Sequence, residues 1–317
     1  MTAYLVRRIG QAVVVVLGVM VLTFFMIHMV PGSAARATLG TRATAERIAM
    51  FNAAYGLDKP LSTQFLTFVE QAARGNFGTS YSMQQPVSTL IAQRLPRDGL
   101  LLGLSTLLAL AIALPMGIYQ AVRRGRIADH VFTVVSFVLY SMPDFFFALV
   151  LIAVFSVQFH LLPSEAPQAE SVGGILADPQ GLVLPVVTLT LVSLAGFSRY
   201  MRASALTTLA QDYVQVARSK GLPERLVLRR HVLRNSMLPV ITILGLSAPS
   251  IVAGAVIAES VFNYPGMGLL FYQAATSKDY PIMLGSTLVV GVATVLGSLF
   301  ADIAYSLLDP RIRYVDA

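Results

Sequence analysis

Few residues in this chain have the type and spacing that chemistry on a substrate requires. Binding of nucleotide phosphates by a P-loop needs Gly-Lys followed by Ser or Thr, so that backbone N–H groups and an ammonium group hold the phosphates. The lysines lie at positions 59, 220 and 278, and none of them follows a glycine. The sequence therefore excludes ATP binding through a P-loop.

The sequence also contains no motif of the kind that hydrolases or metal-dependent enzymes use. The histidines, at positions 28, 130, 160 and 231, are far apart and none is followed by Glu, which excludes a zinc site of the HExxH type. Only His28 lies in a long apolar stretch, where an interfacial polar side chain explains it better than a Ser–His pair. Asp144 and Asp302 lack the flanking motif of an aspartyl protease. We predict no catalytic residue, no metal site, no cofactor and no enzyme activity in this chain.

The composition predicts an integral membrane protein. Of 317 residues, 56% are hydrophobic and 12% are charged, and the mean hydropathy is +0.70. A soluble domain carries about twice that charged fraction. The chain has no cysteine, so disulfides and thiolate metal ligands are excluded. The net charge of +7 comes from basic residues clustered in a few segments, which indicates membrane topology and not nucleic-acid binding.

Six apolar stretches are long enough to cross a bilayer as helices. The first is longer than the apolar region of a signal peptide, about 7–15 residues, so we expect a retained helix. The fold class predicted is an all-α integral membrane protein with six transmembrane helices. The predicted spans are residues 9–30, 99–122, 131–159, 181–198, 237–258 and 282–308.

Arginine and lysine set the expected orientation of these spans. They concentrate at the N-terminus, in residues 123–126, in residues 199–236 and in the tail. Cytoplasmic segments carry the excess of basic residues, so both termini are predicted to be cytoplasmic. The predicted organisation is a first transmembrane helix (1–30), an extracytoplasmic loop domain (31–94), a transmembrane core (95–308) and a cytoplasmic tail (309–317).

The external loop has the signals of two short helices. Thr44 is a suitable N-cap for a helix that stops at Gly56, and Pro60 opens a second helix that ends near Gly75. The apolar residues of both patterns favour a small folded cap over a passive linker.

The cytoplasmic segment 199–236 carries a helix–turn–helix pattern. Asp212 is a plausible N-cap, Gly221 a helix stop, and Pro223 the first turn of a second helix with alternating basic and apolar residues. The segment far exceeds the roughly 2–8 residues that usually join packed helices. This length favours a surface that binds a partner over a loop that only sets topology.

Three residues of the spans are candidates for a path or a gate. Asp144 follows a proline; a carboxylate in hydrocarbon costs about 2.5–3.5 kcal/mol, so it either caps a half-helix or lines a wet path. Pro249 interrupts a span that also contains Gly245, which indicates either a broken, moving helix or static packing of small residues. Glu259 ends that span at the expected outer surface, where a local structural role is a simpler interpretation than a role in the path.

Residues 212–222 resemble the cytoplasmic EAA loop of type I ABC importers, in the form found in oligopeptide and dipeptide permeases. Ala217 and Gly221 fall on the Ala and Gly of that motif, while Gln215 and Val216 replace its Glu and first Ala. Nearly the whole chain is similar to the B-type permease subunit of such importers. Further similar segments are residues 4–8, 31–32, 56–61, 75–78, 231–235, 238–239, 262–268 and 308–313.

The resemblance implies a type I ABC importer fold, a function in peptide import and an assembly in a cell membrane. The expected partners are a homologous second permease, two ATPase subunits that bind ATP and Mg, and an extracytoplasmic peptide-binding protein, with lipid around the spans and no nucleic acid. Nickel and glutathione importers share this framework, and a secondary transporter acting alone would instead show inverted repeats. The residues implied in ATPase coupling are Ala217, Arg218, Lys220, Gly221, Glu224 and Arg225.

Overall fold

The computed structural model describes residues 2–308, with the backbone alone for residues 2–9, 12, 246, 248–252 and 300–308. The predicted tail 309–317 and the side chains of Asp302 and Pro249 lie outside this description. The regular structure of the described residues is helical. The α-helices are α1 (Thr2–Met29), α2 (Ala34–Leu39), α3 (Ala45–Tyr55), α4 (Leu61–Ala73), α5 (Val87–Val122), α6 (Ile127–Ser141), α7 (Asp144–Leu151), α8 (Val172–Ala177), α9 (Pro179–Leu209), α10 (Asp212–Ser219), α11 (Glu224–Val227), α12 (Arg234–Ala253), α13 (Val256–Val261), α14 (Met267–Ser277) and α15 (Tyr280–Leu308).

The chain forms two compact units. The first contains the chain up to Asp98, together with Glu170–Val172 and Pro249–Val295. The second contains Gly99–Ala169, Gly173–Ala248 and the described residues from Leu296. The predicted external loop belongs to the first unit, together with residues of α13 and α14.

Three helices of the described chain are long and apolar enough to cross a membrane. They are Val87–Val122, Pro179–Leu209 and Tyr280–Leu299, and they correspond to the second, fourth and sixth predicted spans. α5 begins well before the predicted residue 99, and α9 continues beyond the predicted residue 198. The first part of the segment predicted as loop 199–236 is therefore helix.

The third predicted span consists of two helical segments, divided at the proline that the sequence marks as an interruption. α6 and the helical segment from Asp144 to Gln158 are bent by 101° at their junction, and the end of that segment, Ile152–Gln158, is π-helical. Pro143 lies at the junction and has no N–H to continue the ladder of α6. A proline also disfavours helical conformation at the residue before it, here Met142, which is extended.

The first and fifth predicted spans fall on α1 and α12. The helix α12 continues through Pro249 and ends at Ala253. The backbone turns at Gly254, which adopts a φ of 77°. The break that the sequence suggested at Pro249 therefore lies further along, at a glycine that tolerates positive φ.

The two helices of the external loop form as predicted. The Thr44 hydroxyl accepts a hydrogen bond from the Arg47 N–H at 3.4 Å, and Gly56 ends α3 in a left-handed conformation. A distant carboxylate anchors the segment that follows α4. Asp279 accepts from the Ser80 hydroxyl at 2.7 Å and from the Ser82 N–H and hydroxyl at 2.9 and 2.8 Å.

Two buried carboxylates organise the turn that follows α12. Glu259 is fully buried and accepts from the Ala255 N–H at 2.6 Å and the Leu269 N–H at 2.9 Å. Asp98, also fully buried, accepts from the Met267 N–H at 2.8 Å. Glu259 therefore does not lie at a surface, and its carboxylate is used inside the fold to satisfy backbone donors.

A tyrosine completes this buried network. The Tyr264 hydroxyl donates to the carbonyl of Arg97 at 2.7 Å, and burial raises the pKa of Tyr264 well above its usual value. The hydroxyl therefore stays protonated and remains a donor. The Arg97 guanidinium donates in turn to the carbonyls of Pro265 and Glu170, at 3.3 and 2.6 Å.

We predict that Gly266→Ala destabilises the protein. A Cβ at this position would overlap oxygens of both Asp98 and Glu259, and overpacking of this kind costs about 1–3 kcal/mol. The measurement is the thermal unfolding midpoint in detergent. Gly103→Ala is the control, because a Cβ there meets nothing within 4 Å. Equal midpoints for both variants would show that the carboxylates do not require this glycine.

Candidate functional site

The strongest candidate site is the hairpin formed by α10, the turn 220–223 and α11. Gly221 adopts a φ of 76°, and its N–H donates to the Arg218 carbonyl at 2.9 Å, which is the role predicted for a helix stop. Pro223 is the N-cap of α11. Asp212 is the first residue of α10 and not its N-cap, which is Gln211; a carboxylate in the first turn still suits the helix dipole.

One face of α10 is buried against the chain itself. Val214 and Ala217, at 0% and 5% exposure, form a core cluster with residues of α5, α9 and the α11–α12 region. The predicted coupling residue Ala217 thus faces inward, and its part in ATPase coupling stays a prediction. The other buried members of the cluster are Ala121, Ala205, Val227 and Val232.

Two predicted coupling residues bind each other. The Arg218 guanidinium donates to both carboxylate oxygens of Glu224, at 3.1 and 2.7 Å. Both side chains are about half exposed, and exposed ion pairs contribute only about 0–1 kcal/mol. The pair therefore sets the geometry of the turn more than its stability, while Lys220 and Arg225 remain exposed.

The opposite face of α10 carries apolar side chains in solvent. Tyr213 is 43% and Val216 is 51% exposed, and they lie three residues apart, so they share a face of the helix. Exposed apolar groups rimmed by polar ones mark interaction sites. Neither residue is among those predicted from the sequence, although their spacing relative to Val214 and Ala217 was the available signal.

An ion pair with one buried partner, Asp129, holds the C-terminal extension of α9. The Arg202 guanidinium donates to both oxygens of Asp129 on α6, at 2.8 and 2.9 Å. Asp129 also accepts from the Gly125 N–H at 3.0 Å. The pair therefore fixes α9, the helix that precedes the hairpin, to α6.

The three candidate path residues occupy separate elements. Asp144 is half-buried in the first turn of α7, a favourable place for a carboxylate. Gly245 is buried within α12, and the side chain of Pro249 is outside the description. A role of these residues in a path or gate stays a prediction.

These features define a class of protein. Helices long and apolar enough to cross a membrane and a basic hairpin with exposed apolar residues are features of a transporter's membrane component. The family model "Binding-protein-dependent transport system inner membrane component" matches residues 113–314. Its N-terminal counterpart, "Binding-prot-dependent transport system membrane comp, N-term", matches residues 1–101. The chain belongs to this family of inner membrane components.

Curated relatives are similar along their whole length. The oligopeptide transport system permease protein AppB of Bacillus subtilis (strain 168) is 38% identical over 99% of this chain and 100% of its own. The dipeptide transport system permease protein DppB of Escherichia coli (strain K12) is 32% identical, covering 99% of both chains. The glutathione transport system permease protein GsiC of Salmonella choleraesuis (strain SC-B67) is 33% identical over 99% of this chain and 100% of its own.

We predict that Ala217→Asp destabilises the hairpin whereas Val216→Asp does not. A buried polar group without a partner costs about 1–3 kcal/mol, and a charge costs more, while Val216 is exposed. Limited proteolysis of the purified protein measures this directly, because an unpacked α10 exposes its backbone. Equal cleavage rates for the two variants would contradict the assignment of the buried face.

Proposed function

We propose that this chain is the permease subunit of an ATP-driven peptide importer. The observation that supports a peptide cargo is the full-length similarity to permeases named for oligopeptide and dipeptide transport. The chain would form half of the translocation path with a homologous second permease. An extracytoplasmic binding protein would deliver the peptide, and two partner ATPase subunits would bind ATP and Mg.

The hairpin is the proposed contact with the ATPase subunit. Tyr213 and Val216 would enter an apolar recess of that partner, and Lys220 would lie at the rim of the contact. Buried apolar anchors supply most of the binding energy in such interfaces, and rim charges supply little. Arg218 and Glu224 act by keeping the turn in shape.

The proposed coupling is mechanical. Closure of the ATPase subunits moves α10, and its core cluster transmits that movement to α5 through Ala121 and to α9 through Ala205. Close-packed contacts are not continuously deformable, so the helices would move as rigid bodies. This movement would open the path alternately to each side of the membrane. In the orientation that we propose, the hairpin and both termini lie in the cytoplasm.

Glutathione import is the second candidate, because a glutathione permease is among the full-length relatives. Glutathione is itself a short peptide derivative, so the same path suits both cargoes. The partner binding protein, which contacts the cargo first, would decide between them.

We predict that Val216→Asp abolishes co-purification of the ATPase subunit and uptake. A charge in place of an apolar anchor removes a contact of the kind that dominates interface affinity, so we expect a loss of roughly tenfold or more. The measurement is the yield of ATPase retained on the tagged permease. Met50→Asp, at an exposed apolar residue of α3, is the matched control. Normal ATPase retention by the Val216 variant would rule out the proposed contact.

We predict that cells lacking this chain lose uptake of short peptides. The test compares uptake of labelled di-, tri- and pentapeptides and of glutathione, with and without a restored copy of the gene. Restored peptide uptake supports the proposal. If only glutathione uptake depends on the chain, the second candidate is correct, and if neither does, the cargo assignment fails.

A further inference from the structure

An apolar groove lies between α5 and the start of the helix that follows the hairpin turn. Its volume is about 560 Å³. It belongs to the second compact unit alone and is separate from the exposed face of α10. The lining residues used below are Leu110, Leu114, Ile118, Val122, Arg225 and Arg229.

The wall contributed by α5 is a continuous apolar stripe. Leu110, Leu114, Ile118 and Val122 are four residues apart, so they lie above one another on one face of the helix. Because α5 is one of the helices long and apolar enough to cross a membrane, the stripe follows the helix axis across the bilayer. Leu228 and Leu233 of the other wall also line the groove.

Arginines line the other wall of the groove. Arg225 and Arg229 are spaced by one helical turn and are exposed. A third arginine, Arg123, lies just after the end of α5. Its guanidinium lies over the ring of Tyr119, 4.8 Å from the ring centroid. None of the described residues that line the groove is acidic, so the arginine charge is not neutralised within it.

We propose that this groove binds one anionic phospholipid. An acyl chain would lie along the α5 stripe, and the phosphate would accept hydrogen bonds from Arg225 and Arg229. A planar guanidinium binds phosphate oxygens in pairs, and basic pockets beside membrane helices favour anionic headgroups. A free phosphate would leave the apolar stripe uncovered, and an apolar helix of a partner would leave the arginines without counter-charge.

The proposed site changes the role of Arg225. The sequence placed this residue in the ATPase contact, but its side chain lines the groove beside α5. The lipid would lie in the leaflet nearest the hairpin, which is the cytoplasmic one if the proposed orientation is correct. Binding of the lipid does not depend on the identity of the cargo.

The test is native mass spectrometry of the complete transporter, purified with its partner subunits. Phosphatidylglycerol and phosphatidylcholine with identical acyl chains are titrated separately. We expect one phosphatidylglycerol to be retained preferentially. Arg225→Gln with Arg229→Gln should weaken its binding roughly thirtyfold, since each basic residue near a membrane surface contributes about 1 kcal/mol. The matched control is Arg230→Gln with Arg234→Gln, at exposed arginines of the same helical segment that do not line the groove.

A second pair of variants tests the apolar part of the site. Ala111→Trp fills the groove, whereas Ile112→Trp places the same side chain at an exposed neighbour that does not line it. We expect only the Ala111 variant to lose the bound lipid. Equal retention of the two lipids, equal loss in the arginine control, or a cross-link placing a partner subunit in the groove would overturn the proposal. Peptide uptake, measured separately, shows whether the proposed function itself has failed.

Discussion

Burial of one face of α10 is the interaction on which a coupling function of this chain depends. A helix of eight residues is too short to be stable alone, because isolated helices need about 12–15 residues. Its stability comes from packing Val214 and Ala217 against α9 and the segment after the turn. The same packing connects the helix to α5 and α9, which is the connection that the proposed coupling would use.

The two faces of α10 therefore have separate tasks. Val214 and Ala217 hold the helix in place, and Tyr213 and Val216 remain available to a partner. The Arg218–Glu224 pair adds little stability but defines the direction in which the turn leaves the helix. In this chain Ala217 packs in the core cluster and Gly221 makes a left-handed turn, so both residues have a structural reason for their type.

The glycine-rich segment 266–268 has a comparable physical explanation. The break after α12 leaves backbone donors with no helical partner, and the carboxylates of Glu259 and Asp98 accept from them. These oxygens occupy the volume that a side chain at Gly266 would need. Glycine is required here because two acids approach the backbone closely.

Local signals in the sequence were reliable where a single residue controls a helix end. Thr44, Gly56 and Gly221 have the predicted roles, because capping depends on a few neighbouring atoms. In the third span the interruption at the proline was predicted, but the angle was not, because hydropathy does not report the angle between two helical halves. The length of α9 was not predicted either, since it continues as helix after its apolar residues end and is held there by the Arg202–Asp129 pair.

The sequence by itself determined the membrane class, the family resemblance, the lack of a P-loop and the position of the hairpin. These properties follow from composition and from residues close together in the chain. Only the tertiary structure decided that Ala217 faces inward, that Glu259 is buried near Asp98, and that Arg225 lines a groove beside α5. Burial and charge pairing depend on contacts between residues far apart in sequence, and a pattern read along one segment contains no information about its distant neighbours.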